Sequence, residues 1–352
     1  MTPGSRTKSV TLRVEEAEAR LLLDAATGAL PAPSPAPATM PLAPRALLPA
    51  APAINAVTNV TDPRIIAEAG TCYVFSTGPG IPIRASRDLI HWQSIGRVFP
   101  TTPSWALAKV PGATSIWAPD ISFYNGQYHL YYAVSTFGGQ RSVIGLATNT
   151  TLNSSAPGYH WVDQGEVTES IPGRSNFNAI DPNLVIDPKT GIWLAFGSQW
   201  SGIKLVALNP GTGKPESLHP RLFSLASRPN HAPIEAPFIF QKGGYYYLFV
   251  SFDRCCMGDS STYKIMVGRS RSVTGPYVDQ HGTPLTRGGG TLVLSGNARY
   301  RGPGHNAVLA VGATDFLVYH TYDAQDYGVP TLQIRPLSWG STGWPVAGSP
   351  LS

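Results

Sequence analysis

One pattern recurs five times along this chain: a polar residue just ahead of an apolar run, then a turn and a second apolar run. Its fullest copy is Asn178-Ala179-Ile180-Asp181-Pro182-Asn183-Leu184-Val185, leading to Ile192-Trp193-Leu194-Ala195-Phe196-Gly197-Ser198. The other copies open at Asp62-Pro63, Trp117-Ala118-Pro119-Asp120, Glu235-Ala236-Pro237 and Gly304-His305-Asn306. Asp62 to Asp120 is 58 residues, Asp120 to Asp181 is 61, Asp181 to Glu235 is 54, and Glu235 to His305 is 70. Multi-strand units repeating every ~40–50 residues, stretched by longer loops, are the mark of propeller blades. The spacing therefore predicts an all-β, five-bladed β-propeller. In such a ring the first strand of each blade lines the central channel, so equivalent positions converge on one axis however far apart they lie in sequence.

Within this frame Asn125-Gly126 and Gly243-Gly244 read as hairpin turns. Ile83–Ser86, Val143–Ala147, Ile203–Leu208, Tyr263–Gly268 and Thr331–Arg335 read as third strands, with Trp92, Trp161 and Trp344 on outer strands. How the ring closes is not visible in the sequence. Residues 1–54 do not fit the repeat. A weakly helical stretch gives way to Pro31-Ala32-Pro33-Ser34-Pro35-Ala36-Pro37, a stiff linker composition. This Pro/Ala-rich segment is expected to be a disordered tail, with the propeller occupying residues 55–352. Asp24 interrupts its leucine cluster, so no clean secretory signal is visible.

Composition narrows the function classes. Charged residues make up 13% of the chain, against ~25% in ordinary soluble domains. The net charge of +5 comes without any dense Lys/Arg run, which argues for a solvated basic surface and against a nucleic-acid groove. No apolar run approaches the ~20 residues needed to span a bilayer. Cys72, Cys255 and Cys256 make neither a disulfide framework nor a zinc spacing. The adjacent pair is either a vicinal disulfide or two thiols, with a scaffold role weighted above a catalytic one.

The repeat brings Asp62, Trp117, Asp181, Glu235 and His305 towards one channel mouth. Three carboxylates there are costly to desolvate without a use. Two carboxyls flanking a bond, one protonated and one ionised, are the equipment of glycoside hydrolysis, and a third beside one of them raises its pKa.

The chain resembles glycoside hydrolase family 43, and within it the endo-1,5-alpha-L-arabinanases. The matching stretches are Asp62-Pro63, Trp117-Ala118-Pro119-Asp120-Ile121, Ala179-Ile180-Asp181-Pro182 and Glu235-Ala236-Pro237-Phe238. Gly197–Ile203, Ser251–Cys256, Ser261-Thr262-Tyr263 and Gly302-Pro303-Gly304-His305-Asn306 also match, and coverage runs from about residue 55 to the C-terminus. The resemblance implies an extracellular, monomeric enzyme that cleaves alpha-1,5-arabinan, a pectin side chain, with inversion. By motif position Asp62 would be the base, Glu235 the acid and Asp181 the modulator of the acid. His305 would ligate an axial calcium ion whose shell is largely water.

Each residue also has a plainer reading. Asp-Pro is a common turn former, as Asp187-Pro188 illustrates, but repetition at blade period favours function for Asp62 and Asp181. Asp120 is displaced in phase from Asp62 and Asp181, and for it a structural hydrogen-bonding role weighs at least as much as a catalytic one. Trp117, Phe137 and Trp200 are candidates to stack on sugar, and Asn178 and Ser198 to reach it. His231 and His320 are expected to make local hydrogen bonds. The competing readings are an exo-arabinosidase or beta-xylosidase with the same chemistry, and a non-catalytic propeller lectin.

Overall fold

Residues 57–217 and 219–351 are described by the structure, a computed structural model; the expected tail, residues 1–54, lies outside them. Five four-stranded antiparallel sheets follow one another in chain order. Blade one holds β1 (Arg64–Glu68), β2 (Thr71–Phe75), β3 (Pro82–Ser86) and β4 (Gln93–Arg97). Blade two holds β5 (Trp117–Tyr124), β6 (Gln127–Val134), β7 (Ser142–Asn149) and β8 (Val162–Ser170). Blade three holds β9 (Asn183–Asp187), β10 (Gly191–Phe196), β11 (Ile203–Leu208) and β12 (Leu222–Ala226). Blade four holds β13 (Ile234–Lys242), β14 (Tyr245–Phe252), β15 (Lys264–Ser270) and β16 (Thr291–Ser295). Blade five holds β17 (Tyr300–Val311), β18 (Thr314–Asp323), β19 (Val329–Trp339) and β20 (Pro345–Ala347). A short helix, α1 (Ser104–Lys109), lies in the connection from blade one to blade two.

The middle strands are nearly continuous apolar runs because both of their faces are covered. Every residue of β7 is buried, and all of β6 except Gln127. The apolar clusters lie between blades: Phe75, Ile83, Leu130 and Val134 join blades one and two. Tyr131, Leu146, Leu194 and Phe196 join two and three, and Ile203, Leu205, Leu248 and Val250 join three and four. Val74, Phe249, Val267, Leu317 and Val318 bring blades four, five and one together. Each such side chain stabilises the ring by about 1.5–3 kcal/mol on burial, so the blades hold one another.

The ring closes through the segment ahead of β1. Thr58 bridges Thr331 on β19, the Leu332 N–H donates to the Val57 carbonyl at 2.9 Å, and the Val60 N–H donates to the Pro330 carbonyl. The first part of the fold thereby covers an edge of the last blade.

One backbone feature repeats in all five blades. Asp62, Ala118, Asp181, Ala236 and His305 have φ of 51°, 45°, 56°, 56° and 49°. A non-glycine residue in this left-handed region costs on the order of 1–3 kcal/mol. In blades two, four and five it coincides with a register shift between the first two strands. Such a bulge re-aims the side chains around it.

Candidate active site

The left-handed residue fixes the phase of the repeat. Asp62, Asp181 and His305 occupy it directly, while Trp117 and Glu235 stand one place earlier, ahead of Ala118 and Ala236. This is why Asp62 and Asp181 stand one place before their proline and Trp117 and Glu235 two, while no proline follows His305 in its strand. Asp62, Trp117, Asp181 and Glu235 lie where first strands begin, the end at which antiparallel pairing also puts the ends of second strands; His305 lies within the longer β17, next to Gly304, which pairs with His320 of β18.

Side chains at that end tie neighbouring blades together at four points of the ring. Thr77 Oγ1 donates to Asp62 Oδ2 and accepts the Ala118 N–H at 2.8 Å, crossing from blade one to two. Asp181 Oδ2 accepts the Ala236 N–H at 3.0 Å, crossing from three to four. Ser251 Oγ accepts the His305 N–H at 2.9 Å, crossing from four to five. His320, fully buried on β18, accepts the Asp62 N–H at Nδ1 at 3.0 Å and so crosses from five back to one.

A second ring lies two residues farther along each first strand: Arg64, Asp120, Asn183, Phe238 and Ala307. Arg64 is ion-paired to Asp120, and both are buried. Asp120 also accepts the Leu184 N–H at 2.7 Å and an amide hydrogen of Asn183 at 3.2 Å, which crosses from blade two to three. The side-chain Oδ1 of Asn183 accepts the Ile239 N–H at 2.7 Å. The Arg64 guanidinium stands 4.0 Å from the centre of the Phe238 ring. Blades one and four are not neighbours, so that contact crosses the axis and floors the opening. Asp120 is thus fully engaged in holding blades one, two and three together.

The charges above this floor interact. His305 Nδ1 is 3.1 Å from Asp62 Oδ1. Burial alone would raise the Asp62 carboxyl, but the charge and hydrogen bond of His305, with His320 and Thr77, outweigh it and hold Asp62 well below the usual carboxylate range. Burial works against a charged His305 too, yet the Asp62 carboxylate, and behind it Asp181 and Glu235, push the imidazole up to about 9. Burial raises Asp181 to about 8; the charges of Glu235 and Asp62 add to this, against His305 and the Ala236 N–H. Burial takes His320 down to about 4, in keeping with a neutral ring that accepts at Nδ1. Both oxygens of Glu235 are held by hydroxyls: Tyr263 OH donates to Oε1 at 2.6 Å and Ser198 Oγ to Oε2 at 2.7 Å. The result is an ionised carboxylate on blade one, a proton-retaining carboxyl on blade three, and an oriented carboxyl on blade four.

The structure brings Asp62, Asp181, Glu235 and His305 together. Trp117 is half-buried against the cluster of blades two and three. Phe137 is 80% exposed on the β6–β7 loop, and Trp200 is half-buried on the β10–β11 loop, its carbonyl accepting from His231. Asn178 and Ser198, expected to reach the sugar, are both engaged by neighbouring protein groups. The buried Asn178 side chain accepts from Ser142 Oγ at 2.6 Å and donates to the Gly139 carbonyl, pinning the β6–β7 loop. Ser198 is 2% exposed and serves Glu235. His320, read as a local hydrogen bonder, instead reaches the backbone of Asp62.

Cys255 and Cys256 are joined as a disulfide. Among the described residues no group of three or more His, Cys, Asp or Glu could hold a metal ion. Calcium takes six to eight oxygens, whereas His305 offers one nitrogen beyond the Nδ1 that faces Asp62. Asn306 is buried with both amide atoms unpartnered, as is His320 Nε2, but these are neutral groups and supply no carboxylate. The side chains do not form a calcium cage.

Residues 53–345 match the sequence profile of glycosyl hydrolases family 43. The extracellular exo-alpha-(1->5)-L-arabinofuranosidase ArbA of Cellvibrio japonicus is 43% identical over 297 residues, covering 82% of this chain and 86% of that protein. The extracellular endo-alpha-(1->5)-L-arabinanase 1 of Bacillus subtilis is 46% identical over 290 residues, covering 81% and 86%. Among solved structures, the endo-arabinanase of Bacillus licheniformis matches with a TM-score of 0.75 and 50% identity, covering 82% of this chain and 97% of that one. The Cellvibrio cellulosa alpha-L-arabinanase complexed with arabinohexaose matches with a TM-score of 0.81 and 42% identity, covering 84% and 96%.

Proposed function

The chain belongs to glycosyl hydrolases family 43, and from that membership we propose that it is a secreted arabinanase that cleaves internal alpha-1,5-arabinofuranosidic bonds with inversion. The observation that carries the mechanism is the unequal treatment of three carboxyls at one axial opening. His305 and Thr77 keep Asp62 ionised, which suits a base that takes a proton from water as the water attacks the anomeric carbon. Glu235, held from two sides by Tyr263 and Ser198, protonates the departing oxygen. Burial and two neighbouring negative charges keep a proton on Asp181 at pH 7. Asp181, which also accepts the N–H of the residue after Glu235, is proposed as the modulator of that acid. Inversion calls for base and acid about 6.5–9.5 Å apart with water between them, and blades one and four of five are non-adjacent. Trp117, Phe137 and Trp200 are proposed to stack on arabinose rings. The calcium expected at His305 is retained only as an ion completed by water, and no catalytic step is assigned to it; metal analysis of the purified protein tests it.

A second reading, exo action, is favoured by the likeness to the Cellvibrio japonicus enzyme, whose name describes exo cleavage. The products released from linear arabinan in the first minutes separate the two. A ladder of oligosaccharides supports endo cleavage. A single short product from the outset, with the polymer otherwise intact, supports exo cleavage.

A further inference from the structure

Tyr263 is 2% exposed and sits where the β14–β15 loop returns to its sheet. The neck of that loop is tied: the Thr262 and Tyr263 N–H groups both donate to the Arg254 carbonyl, at 2.9 and 3.1 Å, and the Arg254 N–H donates to Thr262 Oγ1 at 3.2 Å. Immediately inside the neck stands the Cys255–Cys256 disulfide. The Cys256 N–H donates to Tyr322 OH at 2.9 Å, which anchors the same point to β18 of blade five. The Tyr263 ring lies flat on a glycine, since a Cβ on Gly304 would stand 2.0 Å from its Cδ1. A Cβ on Gly302 would likewise stand 2.6 Å from the Ser261 Cβ. Gly302-Pro303-Gly304 thus makes room for the returning limb of the loop.

A disulfide between sequence neighbours encloses almost no chain, so closing a long loop is not its use. It removes torsional freedom from two residues at the loop neck instead. We propose that the Cys255–Cys256 bond and Tyr263 form a positioning device for Glu235. The bond fixes the neck, the neck fixes the phenol, and the phenol aims the carboxyl proton at the departing oxygen. This rests on the reading of Glu235 as the general acid. The device is also open to reduction, because Cys256 is exposed and Cys255 half-buried. A small dithiol attacks one sulfur and then closes on itself, leaving two cysteine thiols while it becomes a cyclic disulfide. Cys72, 5% exposed and with its thiol pushed up to about 11 by burial, stays out of this exchange.

The test compares two substrates that differ in their need for a proton: linear arabinan, whose leaving group is a sugar alcohol, and the nitrophenyl glycoside of an alpha-1,5-arabino-oligosaccharide, whose leaving group departs as a stable anion. The wild type, the dithiol-reduced wild type, Tyr263→Phe and the double variant Cys255→Ser/Cys256→Ser are assayed on both, with folding checked by thermal unfolding. Misplacing a reacting group by about 1 Å costs up to ~10²-fold. The expected result is a loss of kcat approaching that size on arabinan, with kcat on the nitrophenyl substrate retained. Equal losses on both substrates would make the loop merely structural and overturn the inference, as would no loss on either. Wild-type protein inactive on both would instead overturn the glycosidase reading beneath it.

Discussion

His305 Nδ1 and Asp62 Oδ1 stand 3.1 Å apart, and their residues occupy the same left-handed position in blades five and one. Their pairing makes stability depend on pH with a definite sign. His305 titrates at about 9 in the fold against 6.5 ordinarily, so its contribution is complete below 6.5 and is lost as pH rises through 9. The folded Asp62 carboxyl lies below its ordinary 3.8, so its contribution is present above 3.8 and is lost as pH falls towards the folded value. Asp181, raised to about 8, holds a proton that the unfolded chain has released, so stability declines as pH climbs from about 4 to 8. His320, taken down to about 4 against 6.5 ordinarily, works the other way and offsets Asp181 between pH 4 and 6.5. The melting temperature of the wild type should therefore stay level over that range and fall from pH 6.5 towards 9. His305→Gln should flatten the upper part of that fall and Asp181→Asn the lower part. Calorimetry across pH 4–9 checks both, and a His305→Gln protein that declines as steeply as the wild type above pH 6.5 contradicts the assignment.

Thr77 serves two blades at once through a single hydroxyl. Thr77→Val keeps the shape but leaves the Ala118 N–H without its acceptor, a cost of about 1–3 kcal/mol for a buried donor. It also withdraws a hydrogen bond from the Asp62 carboxylate. Lower stability in urea titration should therefore come with an acid limb of kcat/KM displaced to higher pH. A destabilised variant with an unmoved limb would mean that Thr77 does not act on Asp62.

The floor of the opening makes a prediction that can be read without any substrate. Asp120→Ala leaves the Arg64 guanidinium buried without its partner, which should cost about 3–5 kcal/mol. Arg64→Met/Asp120→Leu removes both charges and should be closer to the wild type than Asp120→Ala is. Urea unfolding of the three proteins measures the difference. A double variant as unstable as the single one would show that the charge pair itself holds the axis.

Gly304→Ala adds one carbon beside the Tyr263 ring. Overpacking of this kind costs about 1–3 kcal/mol, and here the part able to yield is the ring that holds Glu235. The variant should lose kcat on arabinan while its KM changes little. An unchanged kcat would show that the ring has room to shift without disturbing the acid.

Much of the fold was legible because it rests on local signals. Asn125-Gly126 marks a hairpin that the structure forms, both residues having positive φ, and Ile203–Leu208 is β11 to the residue. Helix α1 gave no such signal: it is six residues long, without a side-chain cap or an acid in its first turn. At the site, the residues legible in sequence were those set by the repeat. For Asn178 and Ser198 the sequence does not say whether a buried polar side chain turns to the opening or to a neighbour, because that depends on partners elsewhere. Those partners are Ser142 for Asn178 and Glu235 for Ser198. His320 was read as local because its partner, the Asp62 N–H, is 258 residues away. The closing contact of the ring, Thr58 with Thr331, was hidden for the same reason.

The account turns on Asp62 and Glu235 working from opposite sides of one bond, and the configuration of the first product reports on that arrangement directly. Proton NMR of debranched arabinan should be followed from the moment of mixing with the wild type, Asp62→Asn and Glu235→Ala. The account predicts a β-configured reducing end appearing first with the wild type, and rates ~10²–10⁴-fold lower in each variant. An α-configured first product, or a Glu235→Ala protein that cleaves arabinan at the wild-type rate, would contradict it.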